Sequence, residues 1–236
     1  MLIKIGLENG NENRSQAWAL DLPGCFSYGN DGREALISIP LAVVEYENWI
    51  DKHTPNSWLK DLGNFDVRLT ETFGVYNIDS HFETVEQGYS VNAWFRHDWK
   101  PLTSVEVDQA AQMLTWAYSD LMTVVSDLDN AILDREYNGE RWSIRGIIGH
   151  IATANWWYLD RLDLASTARG DLAKDPLGRL EMVHKNLIDI LPDLVGVNKT
   201  VGKDGEFWSS RKLVRRAIWH ERDHNLHIQK LLMTNP

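Results

Sequence analysis

Hydrophobic and polar residues follow two different patterns along the chain. In the first hundred residues, short alternating stretches are separated by turn-forming residues, whereas from residue 103 onward apolar residues recur every three or four positions. Alternation is typical of strands, and a spacing of three and four is typical of amphipathic helices. The change of period predicts two domains, a small α+β domain over residues 1–100 and an all-α domain over residues 101–236.

The first domain is predicted to begin with a β-hairpin. Leu2–Leu7 and Gln16–Leu20 have strand-like composition and flank a run of turn-forming residues. One or two more strands are predicted in the alternating stretches Phe65–Leu69 and Tyr89–Trp94. These strands, with the helix described next, define the α+β class of this domain.

A helix is predicted directly after the hairpin. Asp31 with Glu34 three residues later is typical of a helix N-terminus, and apolar residues follow on one stripe at positions 36, 39, 43, 46 and 50. Pro40 lies inside this stripe, so it either weakens the prediction or implies a kink.

Four helices are predicted in the second domain, each with a capping residue and one apolar stripe. The capping residues are Thr103, Ser143, Asp175 and either Ser209 or Ser210. Glu106 completes a capping box with Thr103, and Pro176 occupies the favoured first helical position after Asp175. Four such stripes are buried together in an up-down four-helix bundle.

Composition and charge exclude several classes of protein. An apolar fraction of 43% and a charged fraction of 25% are ordinary for a globular protein, and one cysteine forms neither an internal disulfide nor a thiolate zinc cluster. The N-terminus lacks the apolar region of a signal peptide, and no apolar run approaches the roughly 18 residues of a membrane span. We therefore expect a soluble cytoplasmic protein with no membrane partner, whose metal ligands would be His, Asp or Glu.

Both halves of the chain are acidic. The formal charge of −10 divides into −7 for residues 1–100, with 8 basic and 15 acidic residues, and −3 for the remainder, with 16 and 19. Binding to a phosphate backbone needs a basic surface, so we expect no nucleic-acid partner.

Three histidines interrupt the apolar stripes of the second and fourth helices of the bundle. His220 and His224 are four residues apart on the fourth helix, so both imidazoles can reach one ion, and His150 lies beside the core face of the second. A single inward histidine is more often a hydrogen-bonded core residue, but three without an ion need several separate partners. We predict that these three hold a divalent metal ion and leave a coordination position open.

The other five histidines receive different predictions. His184 interrupts the stripe of the third helix without a second histidine at helical spacing, so it is either a group beside the metal ligands or an ordinary core residue. The remaining four are predicted on the surface or in local polar networks, and they are His53, His81, His97 and His227.

Residues 220–224 also match the H-E-x-x-H pattern of zinc peptidases, in which the glutamate is the general base. The polar Arg222 and Asp223 and the short chain beyond His224 disfavour that interpretation. Glu221 lies about 100° around the helix from His220, so we predict a position beside the ligands or on the surface rather than a general base.

Two further groups near the histidines have alternative interpretations. A basic cluster at the start of the fourth helix consists of Arg211, Lys212, Arg215 and Arg216. It is predicted to be a solvated or ion-paired face, and the alternative is that it attracts an anionic co-substrate. Three tryptophans are predicted to pack in the core or to wall a substrate pocket, and they are Trp156, Trp157 and Trp219.

Two segments of the second domain carry a family resemblance. Residues 103–234 resemble the DinB-like superfamily, which includes metal-dependent thiol transferases that use bacillithiol or mycothiol. The residues that carry the resemblance are Trp142-Ser143-Ile144-Arg145 to His150-Ile151 and Arg216 to His224. The family pattern of one histidine on the second helix and H-x-x-x-H on the fourth carries over to His150, His220 and His224. The resemblance implies a divalent transition metal, often zinc or nickel, and a homodimer.

A second resemblance lies in the first domain. Ala19-Leu20-Asp21-Leu22-Pro23-Gly24-Cys25, followed by a glycine, an acidic cap and a helix beginning Glu34-Ala35-Leu36, resembles the HicB-like domain over residues 1–52. HicB proteins are antitoxins that usually carry a separate DNA-binding element. This chain has no basic appendage of that kind, so the resemblance implies a fold and a binding role. Cys25 has no basic residue or His beside it in sequence and is predicted to be a packing residue.

These observations favour a metal-dependent enzyme of thiol S-transferase or hydrolase type, acting with a small-molecule thiol co-substrate. An open three-histidine site lowers the pKa of a bound water or stabilises a thiolate, but the sequence identifies no catalytic acid, base or nucleophile. The alternative is a non-catalytic, metal-stabilised binding or stress-response protein whose HicB-like domain recognises a partner.

Overall fold

The chain forms two compact units in the computed structural model, which describes residues 1–55, 57–59 and 62–234. The first unit comprises Met1–Lys100 and Asn198–Arg215, and the second comprises Pro101–Val197 and Arg216–Pro236. The predicted division at residue 100 assigned everything after it to the second domain. The structure instead groups residues 198–215 with the first unit, because side chains of this segment bond to residues 92–100.

A four-stranded sheet and one helix form the main part of the first unit. The elements are β1 (Leu2–Asn11), β2 (Arg14–Ala19), β3 (Phe26–Gly29), α1 (Gly32–His53) and β4 (Asp66–Gly74). The strand order is β3-β2-β1-β4, in which β1 is antiparallel to β2 and parallel to β4. The predicted hairpin, the helix after it and the strand beginning near Phe65 are confirmed.

Helix α1 begins where its sequence predicts. Asp31 Oδ1 accepts a 2.8 Å hydrogen bond from Glu34 N, and the helix continues through Pro40 to His53. Four of the five positions of the predicted stripe are buried, and the fifth, Leu36, is half-buried. Its neighbour Ala35 is buried instead, so the buried residues of the helix are Ala35, Ile39, Val43, Tyr46 and Ile50.

Five short strands complete the first unit. Three of them, β5 (Asn77–Ile78), β6 (Thr84–Val85) and β7 (Tyr89–Ser90), form a small sheet, and β8 (Thr200–Lys203) pairs with β9 (Glu206–Ser209). The predicted strand Tyr89–Trp94 is therefore wrong beyond Ser90. The hairpin β8–β9 was missed, although its turn at Asp204-Gly205 is a hairpin signal, with φ of 51° and 79°.

Four long helices and one short helix lie wholly or partly in the second unit. They are α2 (Ser104–Val125), α3 (Asn130–Leu133), α4 (Ile144–Asp160), α5 (Pro176–Ile190) and α6 (Ser210–Thr234), of which α6 begins within the first unit. Three predicted caps are confirmed, since Thr103 and Glu106 form a capping box and both Ser143 and Asp175 accept hydrogen bonds from backbone amides of the first turn. Of the two alternatives for α6, Ser209 takes the capping role, because its Oγ accepts a 3.2 Å hydrogen bond from Lys212 N. The short α3 was not predicted.

All four long helices contribute to an apolar core in the second unit. Its buried members include Leu121 and Val125 of α2, Ile147 and Ile151 of α4, Leu180 of α5, and Ile228 and Leu231 of α6. Burying each such side chain stabilises the fold by about 1.5–3 kcal/mol. This shared core confirms the predicted four-helix bundle. Among the described residues, no helix combines the length and the apolar character that crossing a bilayer requires.

Candidate metal centre

His150 of α4 and His220 and His224 of α6 meet inside the second unit, as their sequence spacing predicted. The Nε2 atom of His220 lies 3.1 Å from Nε2 of His150 and 3.1 Å from Nε2 of His224. One ring nitrogen from each residue lies within 4.8 Å of those of the other two. His220 is buried and the other two are half-buried.

The spacing of these three atoms fits a transition-metal ion. Zinc binds imidazole nitrogen at about 2.0–2.1 Å in a tetrahedral arrangement, which separates neighbouring ligand nitrogens by about 3.3 Å. A hydrogen-bonded trio explains the arrangement less well, because a neutral imidazole carries one N–H and Nε2 of His220 faces two other nitrogens. Three imidazoles fill three positions of a tetrahedral ion and leave the fourth for water or substrate.

The protonation state of His220 favours metal binding. Burial holds the pKa of this imidazole well below its ordinary value of 6.5, and the nearby His224, His150 and Arg216 lower it further. The ring is therefore neutral near pH 7. A neutral ring keeps a nitrogen lone pair for the ion.

Aromatic rings hold the ligand histidines in place. Trp142 stacks on His150 with ring centroids 4.4 Å apart. The guanidinium of Arg141 lies 4.4 Å from the ring centroid of Trp142. The rings of Trp219 and Tyr158 lie 5.4 Å and 6.0 Å from that of His220. Of the three tryptophans considered from the sequence, Trp219 lies against a ligand.

Trp156 is buried in the second unit, and Trp157 is half-buried there. Trp156 is 8% exposed and donates a 2.8 Å hydrogen bond from Nε1 to the carbonyl of Thr167. Trp157 packs under the guanidinium of Arg161, 4.7 Å from the ring centroid. Core packing thus describes Trp156 better than a pocket wall does.

Glu221 lies in the protein interior, so its predicted alternative position on the surface is wrong. It is 2% exposed, and its Oε1 accepts a 2.7 Å hydrogen bond from Asn155 Nδ2. The same oxygen lies 3.9 Å from His184 Nδ1. The carboxylate of Glu221 therefore belongs to a polar cluster with Asn155 and His184. Among the residues that the structure describes, the group of possible metal ligands at this place consists of the three histidines.

His184 is held beside this carboxylate by stacking. Its ring lies 4.2 Å from that of Tyr118 at an interplanar angle of 17°. Burial raises the pKa of Tyr118, and the charges of Glu181 and Glu221 raise it further. Asn155 was not singled out from the sequence, because its partner Glu221 is 66 residues away.

The basic cluster at the start of α6 is buried, so its predicted alternative of a solvated face is wrong. Exposed fractions are 7% for Arg211, 0% for Lys212, 3% for Arg215 and 6% for Arg216. In the first unit, Lys212 Nζ lies 3.5 Å from Glu206 Oε2, and Arg215 makes two hydrogen bonds of 3.1 and 2.7 Å to Asp98. Long basic side chains are buried when such partners offset the loss of water.

The remaining predictions for His and Cys are consistent with local polar networks and packing. His97 Nε2 lies 3.1 Å from Asp21 Oδ1 in the first unit, and His227 Nε2 lies 3.0 Å from Glu140 Oε2 in the second. Exposed His81 lies 3.8 Å from Asp79. Cys25 is 1% exposed, as expected for a packing residue.

Comparison with known proteins assigns a similarity to the helical part of the chain. A solved structure, YfiT from Bacillus subtilis, described as a probable metal-dependent hydrolase with an unusual four-helix bundle topology, aligns at a TM-score of 0.45 and 18% identity, over 56% of this chain and 89% of that one. No protein with a curated description matches the chain. Residues 113–228 match the DinB superfamily, and this matching stretch contains His150, His220 and His224.

Proposed function

We propose that the chain binds one divalent transition-metal ion, zinc or nickel, through His150, His220 and His224, and that it is a metal-dependent enzyme of hydrolase or thiol S-transferase type. The observation that carries the proposal is the convergence of three imidazole Nε2 atoms at separations of 3.1 Å about His220. The match of residues 113–228 to the DinB superfamily supports it, because the resemblance implies these three ligands.

The side chains around the site have separable tasks in this proposal. When bound, the ion supplies a Lewis acid that generates a hydroxide or a thiolate at neutral pH. Three neutral imidazoles leave its positive charge undiminished, which strengthens that effect. Trp142 fixes the plane of the His150 ring, and Tyr158 and Trp219 shield His220 from water.

Glu221 has no direct part in proton transfer at this site. Its Oε1 is engaged by Asn155 Nδ2, and its neighbours are Asn155 and His184 rather than the meeting point of the three Nε2 atoms. In the peptidase pattern the corresponding glutamate must reach a water on the metal. The proposal therefore excludes the peptidase mechanism.

Elemental analysis of full-length protein purified without chelators or a metal-loaded affinity resin tests the metal site. We expect about one equivalent of zinc or nickel, and a loss of at least tenfold in His150→Ala, His220→Ala and His224→Ala. His227→Ala is the matched control, because His227 is one turn beyond His224 and pairs with Glu140. Less than a tenth of an equivalent in the wild type, unchanged in the three variants, would contradict the proposal.

The second candidate function is a non-catalytic, metal-stabilised binding protein whose HicB-like first unit recognises a partner. It is favoured by the position of Glu221, which leaves the metal centre without the general base of the H-E-x-x-H pattern. Cobalt-substituted protein separates the two functions. A visible spectrum that changes on addition of imidazole reveals an exchangeable coordination position and supports the enzyme, whereas an unresponsive spectrum supports a structural ion.

The resemblance to DinB-like proteins also motivates a homodimer and a small-molecule thiol co-substrate for this chain. Light scattering coupled to size-exclusion chromatography should give a mass near twice that of the 27.1 kDa chain. A mass of one chain at all concentrations would contradict the dimer without affecting the metal site.

A further inference from the structure

Helix α1 of the first unit is apolar on two opposite faces. One face packs on the four-stranded sheet through the buried residues between Ala35 and Ile50. The other face carries an exposed stripe of three side chains, Ile37, Leu41 and Val44, which are 67%, 64% and 42% exposed. Spacings of four and three residues place them on one side of the helix. A surface helix normally has polar residues opposite its core face, so the exposed stripe indicates a surface that another molecule covers.

Charged residues of both signs stand at each end of the exposed stripe. Arg33 and Glu34 lie in the first turn of α1, and Asp51 and Lys52 lie in its last turn. All four are exposed. Asp51 follows Arg33 by 18 positions, and Lys52 follows Glu34 by the same number. Because 18 residues make five turns of an α-helix, the two members of each pair lie on the same side of α1.

These charges are complementary to themselves when a second α1 lies antiparallel across the first. The two-fold axis of such a pair exchanges the ends of the helices and keeps each side of one helix against the same side of the other. Arg33 then faces Asp51 of the second copy, and Glu34 faces Lys52 of that copy. A parallel pair would instead place Arg33 against Arg33 and Asp51 against Asp51, which are like charges.

We propose that two copies of this chain associate through antiparallel packing of their α1 helices. The register that pairs Arg33 with Asp51 and Glu34 with Lys52 places Leu41 of each copy against Val44 of the other. Opposite ends of the two helix macrodipoles also come together. The inference rests on the proposed homodimer for the number of copies and assigns the surface that joins them, and it does not involve the metal centre.

Sedimentation equilibrium of the full-length protein tests the apolar part of this surface. The wild type should dimerise with a Kd below about 100 μM. Leu41→Glu places two charges at the centre of the interface and should raise the Kd at least about tenfold. Val105→Glu is the matched control, because Val105 is also an apolar residue on a helix and is 60% exposed. It should leave the Kd within about twofold of the wild type, since surface substitutions away from an interface change little.

Reversing single charges tests the antiparallel orientation. Arg33→Glu and Asp51→Lys should each raise the Kd at least about fivefold, because each replaces two attractive pairs of the dimer by two repulsive ones. Neither change opposes the macrodipole of α1, since an acid enters the first turn or a base the last. An equimolar mixture of the two variants should dimerise with a Kd within about twofold of the wild type, because their heterodimer contains attractive pairs at both ends.

The stability of each monomer is measured beside its association. Asp51 Oδ1 accepts a 2.6 Å hydrogen bond from Ser57 Oγ, so urea unfolding of Asp51→Lys shows whether the loss of this bond disturbs the fold. Arg33→Glu decides the orientation where Asp51→Lys does not fold. The metal content of every variant should equal that of the wild type, so a failure of the metal site is recognised independently.

Three results would overturn the inference. A wild type that remains monomeric to about 100 μM contradicts the homodimer and the surface together. A dimer whose Kd is unchanged in Leu41→Glu uses another surface, which leaves the proposed homodimer intact and removes α1 from it. A Kd that rises in Leu41→Glu but not in Arg33→Glu excludes the antiparallel arrangement.

Discussion

Asn155 and Glu221 form a buried hydrogen bond that joins the two helices carrying the histidines. Nδ2 of Asn155 on α4 lies 2.7 Å from Oε1 of Glu221 on α6, and the residues are 1% and 2% exposed. Asn155 follows His150 by five positions, and Glu221 directly follows His220. A hydrogen bond at this place fixes how α4 and α6 are held together, and with it the distance between the ligands of the two helices.

Replacing Glu221 by alanine should weaken metal binding without removing a ligand. The change leaves Asn155 Nδ2 buried without an acceptor, which destabilises the fold by about 1–3 kcal/mol. We expect metal affinity to fall by about tenfold, as is common when residues that orient ligands are lost. Metal competition titrations and urea unfolding at pH 7 measure the two effects.

Glu221→Gln is the conservative comparison, because glutamine keeps the acceptor and the shape while removing the buried charge. It should retain metal affinity within about threefold. Wild-type affinity in Glu221→Ala would show that the Asn155–Glu221 bond does not position the ligands.

The features that were predictable from the sequence depend on neighbours along the chain. Thr103, Ser143 and Asp175 each cap a helix through an amide three residues later, and His220 and His224 share one helical face. The meeting of His150 with that face followed from its position on an apolar stripe, because bundle stripes face one another.

The features that were missed depend on contacts between distant parts of the chain. Arg215 is buried because Asp98, 117 residues earlier, accepts its hydrogen bonds. Residues 211–221 are all buried, so this part of α6 has no solvent face from which a single stripe can be distinguished. A row of charged residues then predicts an exposed face, although each basic group finds its partner only after folding.

The ion pair of Lys212 with Glu206 should be sensitive to the loss of one partner. Both side chains are at most 1% exposed, and Lys212 Nζ also lies 3.0 Å from the carbonyl of Phe207. Glu206→Gln leaves a buried ammonium without its counterion, so we expect a loss of about 3–5 kcal/mol in the free energy of unfolding. Urea denaturation followed by circular dichroism measures it.

The double variant Glu206→Gln/Lys212→Met removes both charges together. It should be more stable than Glu206→Gln alone, because no unpaired charge remains. Equal stability of the single and double variants would show that Lys212 does not depend on Glu206.

The pair of Asp21 and His97 should make the first unit less stable in acid. The hydrogen bond from His97 lowers the pKa of Asp21 below its ordinary value of 3.8, and this outweighs the opposing effect of burial. The unfolded chain therefore binds the proton more readily than the folded one. The stabilisation is present above pH 3.8 and is lost as the pH falls through the lowered pKa.

Asp21→Asn tests this dependence by removing the titrating group. Near pH 7 the variant should lose about 1 kcal/mol of stability, the usual net contribution of a hydrogen bond. The difference from the wild type in urea unfolding should shrink as the pH falls from 3.8 through the lowered pKa of Asp21. A difference that stays constant over this range would show that the ionised carboxylate of Asp21 contributes nothing.

Removing the metal should destabilise the second unit, because its ligands come from two different helices of one core. A ligand bound only by the folded state adds about 2.7 kcal/mol when its free concentration is one hundred times its Kd. Addition of a chelator should therefore lower the unfolding temperature of the wild type by several degrees. His150→Ala, which removes the one ligand on α4, should unfold at the same temperature with and without chelator, whereas His227→Ala should respond as the wild type does. A chelator response in His150→Ala equal to that of the wild type would mean that the stabilising ion does not join α4 to α6.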